Sequence, residues 1–272
     1  MQALTKRQTA SHWYLADGSP FYEVPSKSKP GQMRKATLAD ARIVGALPSV
    51  GGIKGVIDKP GLRGWFADTI IHSALTLPRN AGEVDDDFAV RIAADADTVR
   101  ENAMETGIAL HDLAQQYLQN EKIGQADDRI LALFAPLKKW IDENVEQSIL
   151  VEKSMGSRVL GYGGRMDAIL RLRGQDLLLV SDFKSQGVKP GKKATFYEDD
   201  WPLQLVAYRE LAKLQHDVEG QELGLMSVVV NTTSPTPIET KIWSEPEKYL
   251  EAFNHAFGLW RYINNFDPRS NA

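Results

Sequence analysis

The chain of 272 residues carries a net charge of −4 and contains no cysteine. The absence of cysteine excludes disulfides, thiol nucleophiles and cysteine-ligated zinc or iron–sulfur sites. The acidic balance argues against a broadly basic surface, so any contact with nucleic acid is expected to be local. No run of about 18 apolar residues predicts a membrane span. The first nineteen residues lack the apolar stretch of a secretory signal, so an intracellular, cytoplasmic protein is expected.

The first half of the sequence predicts a polar segment followed by helices. Residues 1 to about 45 are rich in Pro, Ser and Lys, which predicts irregular structure with at most a short hairpin. A helix is expected after Pro60, because proline suits a first helical turn. Three aspartates at 85–87 precede a long pattern of helical periodicity, and acids at a helix start complement its dipole without any metal. A further helix is expected over roughly residues 127–146.

The second half begins where the apolar period changes from 3.6 to 2. Three successive strands are predicted, with turns at Gly156 and Gly174, so a β-meander is the simplest arrangement. The predicted strands cover residues 148–156, 157–174 and 175–185. The remaining elements are a helix, two strands and a final helix, at residues 200–215, 224–233, 237–244 and 246–266.

These elements predict one α/β (α+β) domain over residues 1–272. Its N-terminal part, residues 1–147, would hold the irregular segment and a helical layer. Its second part, residues 148–272, would hold the central sheet, flanked by helices, and the C-terminal helix.

Charged side chains follow the buried strand "LLLVSDFKSQG". Because strand side chains alternate, Asp182 and Lys184 share one face while Phe183 points to the other. Antiparallel pairing about the second turn would bring Asp167 alongside Asp182, and Glu152 can reach the same end of the sheet. A strand end that frays into solvent, with surface ion pairs, explains the same charges without any function.

A convergence of three carboxylates has a chemical consequence. Carboxyl groups at such short distances cannot all ionise without a counter-cation. An oxygen-rich set with few imidazoles suits Mg²⁺ or Mn²⁺ better than zinc. On spacing alone, a metal site and a set of surface ion pairs remain equally open.

Several segments, in order along the chain, resemble the motifs of one family. "GYGGRMD" followed by "VSDFKS" resembles the PD-(D/E)XK nuclease superfamily, most closely its RecB-like exonuclease branch. "GIALHDLAQ" resembles that branch's helical motif, here Gly107 and His111, and Glu152 stands at its early strand carboxylate. "DWPLQLVAYREL" resembles its Gln-x-x-x-Tyr helix, here Gln204 and Tyr208. "LPSVGGIKGVIDKPGLRGW" resembles a segment of phage-type and mitochondrial genome maintenance exonucleases.

The resemblance implies a restriction-endonuclease-like core with a central mixed sheet and an N-terminal helical layer. It implies a Mg²⁺-dependent DNA exonuclease that hydrolyses phosphodiester bonds in single-stranded or end-bearing DNA, in DNA repair, recombination or a phage setting. The location would be the host cytoplasm if the chain is phage-encoded. Without cysteine, no iron–sulfur cluster is expected. The alternatives are an endonuclease, a nuclease subunit of a helicase–nuclease complex, and a catalytically silent nucleic-acid-binding module.

By the same resemblance, five residues are expected to form the metal site. Asp167 and Asp182 would ligate Mg²⁺, for which Mn²⁺ could substitute, together with the backbone carbonyl of Phe183. Glu152 would hold a water or a second ion. His111 would complete a second site or bind phosphate, although a helix-borne histidine near apolar neighbours is otherwise usually a packing residue.

The remaining site residues are expected to act on the attacking water or on the substrate. Lys184 would orient or help to deprotonate the water and offset charge in the transition state. Gln204 and Tyr208 lie four residues apart on one helix face, so both can point at the site or simply pack. Ser185 could donate to a phosphate or cap a turn.

A lysine-rich segment follows the strand that carries Lys184. Lys189, Lys192 and Lys193 would track the nucleic-acid backbone, or they form a solvated loop. The aromatic residues Phe196, Tyr197 and Trp201 are interleaved with them. Stacking combined with local positive charge is how single strands are held without sequence readout.

Overall fold

A computed structural model describes residues 12–270 of the chain, with helices and strands from Trp13 to Asn264. The helices are α1 Leu38–Val44, α2 Val50–Lys54, α3 Pro60–Thr76, α4 Asp85–Leu118, α5 Asp128–Asn144, α6 Trp201–Ala212 and α7 Pro246–Asn264. The strands are β1 Trp13–Tyr14, β2 Glu23–Pro25, β3 Met33–Lys35, β4 Leu47–Pro48, β5 Val145–Ser157, β6 Tyr162–Leu172, β7 Leu178–Gln186, β8 Leu223–Asn231 and β9 Glu239–Trp243.

The central sheet has five strands in the order β5-β6-β7-β8-β9. The first three strands form the predicted antiparallel meander. Strand β8 runs parallel to β7, and the chain between them crosses over through α6, as a parallel connection requires. Strand β9 closes the sheet as an antiparallel edge. The predicted α/β fold, a central mixed sheet flanked by helices, is therefore confirmed.

The β6–β7 register gives the predicted juxtaposition of two aspartates. Ala168 pairs with Ser181, so the next position along places Asp167 opposite Asp182. The prediction of a turn at Gly156 is wrong, because β5 continues to Ser157. Gly156 packs so closely on the backbone of Leu15 that a Cβ would collide with its carbonyl oxygen. The turn follows at residues 158–161 and ends at Gly161, which has φ of 84°.

The N-terminal segment is more ordered than its composition predicts. Strands β2 and β3 form the expected short hairpin. The sequence does not predict the helix α1 that follows. Thr37 caps its start: the Thr37 side chain accepts from the Asp40 N–H, and the Asp40 carboxylate accepts from the Thr37 N–H. Such a capping box stabilises a short helix. Of the predicted irregular residues, 1–11 lie outside the described part of the chain.

Both faces of the sheet are covered by helices. In β7, Leu178 and Val180 pack in a core that includes α6 and α7. Leu179 and Phe183 pack on the other side, in a core that includes α4 and α5. Because burial on both faces removes the alternation of polar and apolar residues, β7 has the continuous apolar run that marks it in the sequence. The same burial makes β7 a rigid support for the charged residues at its end.

Helix α3 and the first half of α4 form a helical hairpin that packs against itself more than against the sheet. Along α3 only Ser73 is buried. Apolar side chains on this hairpin are consequently exposed, among them Trp65, Ile71 and Leu75. None of the helices within residues 12–270 combines the length and hydropathy needed to cross a membrane.

Candidate active site

Three potential metal ligands from three different elements meet at the end of the sheet. His111 on α4, Glu152 on β5 and Asp167 on β6 each offer a ligand atom, and these atoms all lie within 4.8 Å of one another. The Nδ1 atom of His111 lies 3.5 Å from Asp167 Oδ2. We call these three residues the acidic cluster. The structure thus brings together residues that are 56 positions apart in the chain.

Glu152 has a backbone conformation that the sequence does not signal. Its φ is +50°, in the left-handed region that non-glycine residues rarely adopt and that is enriched at functional sites. The strand pairing on either side of Glu152 places it opposite Asp167. Like charges directly opposite each other on paired strands are destabilising. The Nε atom of Arg165 lies against the Glu152 carboxylate and offsets part of this repulsion.

Burial raises the pKa of Asp167 to about 7, and the nearby charge of Asp182 adds to the shift. His111, Lys184 and a hydrogen bond from the Phe183 backbone act in the opposite direction. That hydrogen bond is 2.8 Å long and ends on Asp167 Oδ2. Burial likewise raises the pKa of Glu152. Two carboxyl groups that resist ionisation side by side form a site whose electrostatics favour a cation.

Phe183 contributes through its backbone and its ring. In a strand, the N–H and C=O of one residue point the same way. Since the Phe183 N–H points at Asp167, its carbonyl is directed to the same side of β7. Phe183 is 4% exposed, and its side chain packs in the core that includes α4. This orientation is compatible with the predicted carbonyl ligand, which stays a prediction.

Asp182 and Lys184 form an ion pair on the face of β7 that α6 covers. Lys184 Nζ lies 2.7 Å from Asp182 Oδ2. The Gln204 amide joins the pair, because its Nε2 donates to Asp182 Oδ1 over 3.2 Å and its Oε1 accepts from Lys184 over 3.3 Å. Asp182 therefore lies outside the compact acidic cluster and is oriented towards Lys184.

Lys184 is held in its charged form. Burial lowers the pKa of this lysine, but the charges of Asp182 and Asp167 outweigh burial, and the net shift is upward. A protonated lysine can donate hydrogen bonds and stabilise an anion, whereas it cannot accept a proton from water. Of the two predicted roles, these surroundings favour the electrostatic one.

Two further motif positions are explained by close packing around the site. Tyr208 is buried on α6, and burial raises its pKa well above the usual range. A Cβ at Gly164 would lie 2.5 Å from the Tyr208 ring, so the glycine allows this contact. Gly107 on α4 packs on Ser185 in the same way, since a Cβ there would lie 2.8 Å from the Ser185 Oγ. These contacts fix α4 and α6 relative to the sheet.

A cavity of about 660 Å³ opens beside Lys184 and Ser185. One wall is the helical hairpin, with Leu62 and Trp65, and the other is the chain between β7 and α6. We call residues 187–197 of that chain the basic loop. Its three lysines, Lys189, Lys192 and Lys193, are exposed and line the cavity. The predicted basic segment therefore lies next to the candidate active-site residues Lys184 and Ser185.

The aromatic residues near the basic loop differ in their placement. Trp201 is 7% exposed and contacts the rings of Phe196 and Tyr197 at 5.8 Å and 5.4 Å between centroids. Phe196 packs against the core. Tyr197 and part of Trp201 reach the cavity wall. Of the three aromatic residues predicted to stack on bases, Phe196 therefore packs against the core, and Tyr197 and Trp201 line the cavity.

Sequence reasoning misses two residues that complete the site. Arg165 pairs with Glu152 and also donates to Gln115 over 3.1 Å. Lys54, at the end of α2, is buried and contacts Gln204. The signal that could have found Arg165 is its place two residues before Asp167, on the same face of β6. Lys54 lies within the "PSVGGIKG" segment but carries no local signal of burial.

Comparison with known proteins identifies the family. A sequence model of the PD-(D/E)XK nuclease superfamily matches residues 69–271. The chain belongs to that superfamily. The match spans the acidic cluster, the Asp182–Lys184 pair and α6. Membership implies a metal-dependent nuclease, hence a hydrolase with a nucleic-acid substrate. No curated protein matched the chain.

The residues of this nuclease fit a divalent cation. The donor set is two carboxylates and one imidazole, which can satisfy a hard cation and leave positions for water. Burial and the nearby charge of Asp182 raise the pKa of Asp167, and a cation at the acidic cluster would stabilise its ionised form. The charge and the donor atoms of the acidic cluster therefore both fit a divalent cation.

Proposed function

We propose that this nuclease is a Mg²⁺-dependent DNA exonuclease of the RecB-like branch, acting on single-stranded or end-bearing DNA. The observation that carries the proposal is the cavity beside Lys184, between the helical hairpin and the basic loop. Its volume of about 660 Å³ lies in the range of small-ligand pockets, which suits a few nucleotides of one strand better than a duplex.

In this proposal the acidic cluster, Asp182 and the Phe183 carbonyl hold the cation. When bound, Mg²⁺ would stabilise charge on the scissile phosphate and make water more acidic. Asp167 is fixed by the Phe183 N–H and His111, so it presents a defined oxygen. The Lys184 ammonium, 2.7 Å from Asp182, is placed to donate to the phosphate or to the attacking water. Ser185, at the cavity wall, can donate to a phosphate oxygen.

In this proposal the cavity walls bind the single-stranded DNA. The three lysines of the basic loop supply positive charge that follows a phosphate backbone, and Trp65 and Tyr197 supply aromatic surface. Non-specific binding of single strands combines these two features. Because the chain as a whole carries a net charge of −4, DNA binding away from the cavity is expected to be weak.

The test uses one single-stranded DNA in two forms, linear with an end label and covalently closed. The proposal expects degradation of the linear strand in Mg²⁺ or Mn²⁺, none in EDTA, and an intact circle. Asp167→Asn is the matched inactive control. Cleavage of the circle would replace the exonuclease by the endonuclease alternative. DNA binding with no cleavage of either form, under both metals, would favour the silent binding module.

A further inference from the structure

Lys54 is a buried lysine beside the nuclease site, and it precedes the residues that match the superfamily. Its side chain is 3% exposed. The ammonium lies 2.9 Å from Asp200 Oδ1 and donates to Gln204 Oε1 over 3.1 Å. Helix α2 holds it there, since Ser49 caps the helix and bridges to Gly163 on β6. A lysine is thus built into the wall behind the Asp182–Lys184 pair.

The Gln204 amide is held in one orientation by its neighbours. Its oxygen accepts from two ammonium groups, Lys54 at 3.1 Å and Lys184 at 3.3 Å. Its nitrogen donates to Asp182. Because a lysine ammonium can only donate, two of them on one side require the amide oxygen there. The opposite side then presents the NH₂ group to the carboxylate, and a flipped amide would lose all three hydrogen bonds.

Burying Lys54 has an energetic cost. Burial lowers its pKa to about 8, and the charge of Lys184 acts in the same direction, while Asp200 opposes the shift. Apolar residues of similar shape often replace buried ion pairs without loss of stability. Asp200 would keep a partner in any case, because Lys59 lies 3.1 Å from it. Stability alone therefore gives little reason for a charge at position 54.

We propose that Lys54 is a positioning residue of the nuclease: it fixes the Gln204 amide, which in turn holds the Lys184 ammonium between Asp182 and the cavity. The inference rests on the proposed function for its kinetic readout. Lys54 does not line the cavity, so it acts through Gln204 and not on the substrate. Without Lys54 the Gln204 amide keeps only its hydrogen bonds with Lys184 and Asp182, so it is held less firmly and positions the Lys184 ammonium less well.

The first test is Lys54→Met, which keeps an unbranched side chain and removes the charge. The variant should lower kcat about 10- to 100-fold, the size expected for a misplaced catalytic group. The KM for single-stranded DNA should stay within a factor of about two, because the basic loop is unchanged. Lys54→Arg, which restores a cation, should recover most of kcat. A kcat equal to that of the wild type in Lys54→Met would overturn the proposal.

A double-mutant cycle with Gln204→Met tests the route of the effect. If Lys54 acts through Gln204, the double variant is no slower than Gln204→Met alone. Multiplicative losses would mean that Lys54 acts independently and would refute the positioning role. Arg209→Met is the matched structural control, because Arg209 is also buried, lies on α6 and pairs with Glu247 away from the site. Its kcat per folded molecule should match the wild type.

An NMR measurement that does not depend on DNA cleavage tests the inference separately from the proposed function. The side-chain amide of Gln204 should give a shifted pair of NMR signals in the wild type, and these should move in Lys54→Met but not in Arg209→Met. If the wild type degrades no DNA, the proposed function fails while these signals still decide the inference. If the Gln204 signals do not move in folded Lys54→Met, the inference is refuted. Should that variant not fold, Lys54→Gln replaces it with the same expected movement.

Discussion

Asp167 gives the metal-free nuclease a defined dependence of stability on pH. The unfolded chain loses this proton near the ordinary pKa of 3.8, whereas the folded chain keeps it up to about pH 7. Between these values the folded state binds more protons than the unfolded state, so the free energy of unfolding falls as pH rises. At about 1.36 kcal/mol per pKa unit, the full loss above pH 7 is about 4 kcal/mol. That is a large fraction of the stability of a typical domain.

Asp167→Asn removes this dependence, because a side-chain amide does not titrate. The amide oxygen can still accept from the Phe183 N–H, so the hydrogen bond is kept. Urea denaturation in EDTA should find the variant about 4 kcal/mol more stable than the wild type at pH 8, and about 2 kcal/mol at pH 5. Asp68→Asn, at an exposed position on α3, is the control and should show no such difference. Equal stability of Asp167→Asn and the wild type at both pH values would refute the electrostatic reasoning.

The same penalty predicts the response to a divalent cation. Mn²⁺ at pH 8 should raise the stability of the wild type, because a ligand that binds only the folded state stabilises it by mass action. The Asp167→Asn variant should gain much less. A cation that stabilises both proteins equally would place its binding site away from the acidic cluster.

Three further predictions address chemistry, packing and binding. Lys184→Ala should abolish turnover while fluorescence anisotropy still detects DNA binding, and a fully active variant would remove Lys184 from the mechanism. Gly164→Ala should lower the free energy of unfolding by about 2 kcal/mol in urea denaturation, which is typical of overpacking, because its Cβ would lie 2.5 Å from the Tyr208 ring. The control is Gly51→Ala, because Gly51 has open space around it. Replacing the three lysines of the basic loop by Ser should weaken single-strand binding and lower the salt slope by about 2, and an unchanged slope would show that they contact no phosphate.

Much of the fold follows from local patterns in the sequence. The change of apolar period near residue 148 predicts the meander, and the turn chemistry predicts the opposition of Asp167 and Asp182. The superfamily motifs then connect these strands with His111 and Gln204, which no local pattern could do. Helix α1 escapes prediction because its seven residues are mostly exposed and have too little apolar periodicity to register.

The remainder depends on contacts between distant segments. Gly156 is not a turn residue, because it packs against the backbone of Leu15, and sequence alone cannot tell such a glycine from one in a turn. The left-handed backbone of Glu152 is imposed by its surroundings, since glutamate has no preference for it. Burial of Lys54 arises only when α2 and α6 pack together. Periodicity along the chain carries no information about these three features.

The acidic cluster and Asp182 are proposed to hold a divalent cation next to Lys184. The most direct measurement is anomalous diffraction from crystals of the wild type soaked in Mn²⁺. We expect a peak within coordination distance of Asp167, close to His111 and Glu152, and no such peak in Asp167→Asn. An empty cluster at saturating Mn²⁺, with the protein intact, would contradict it.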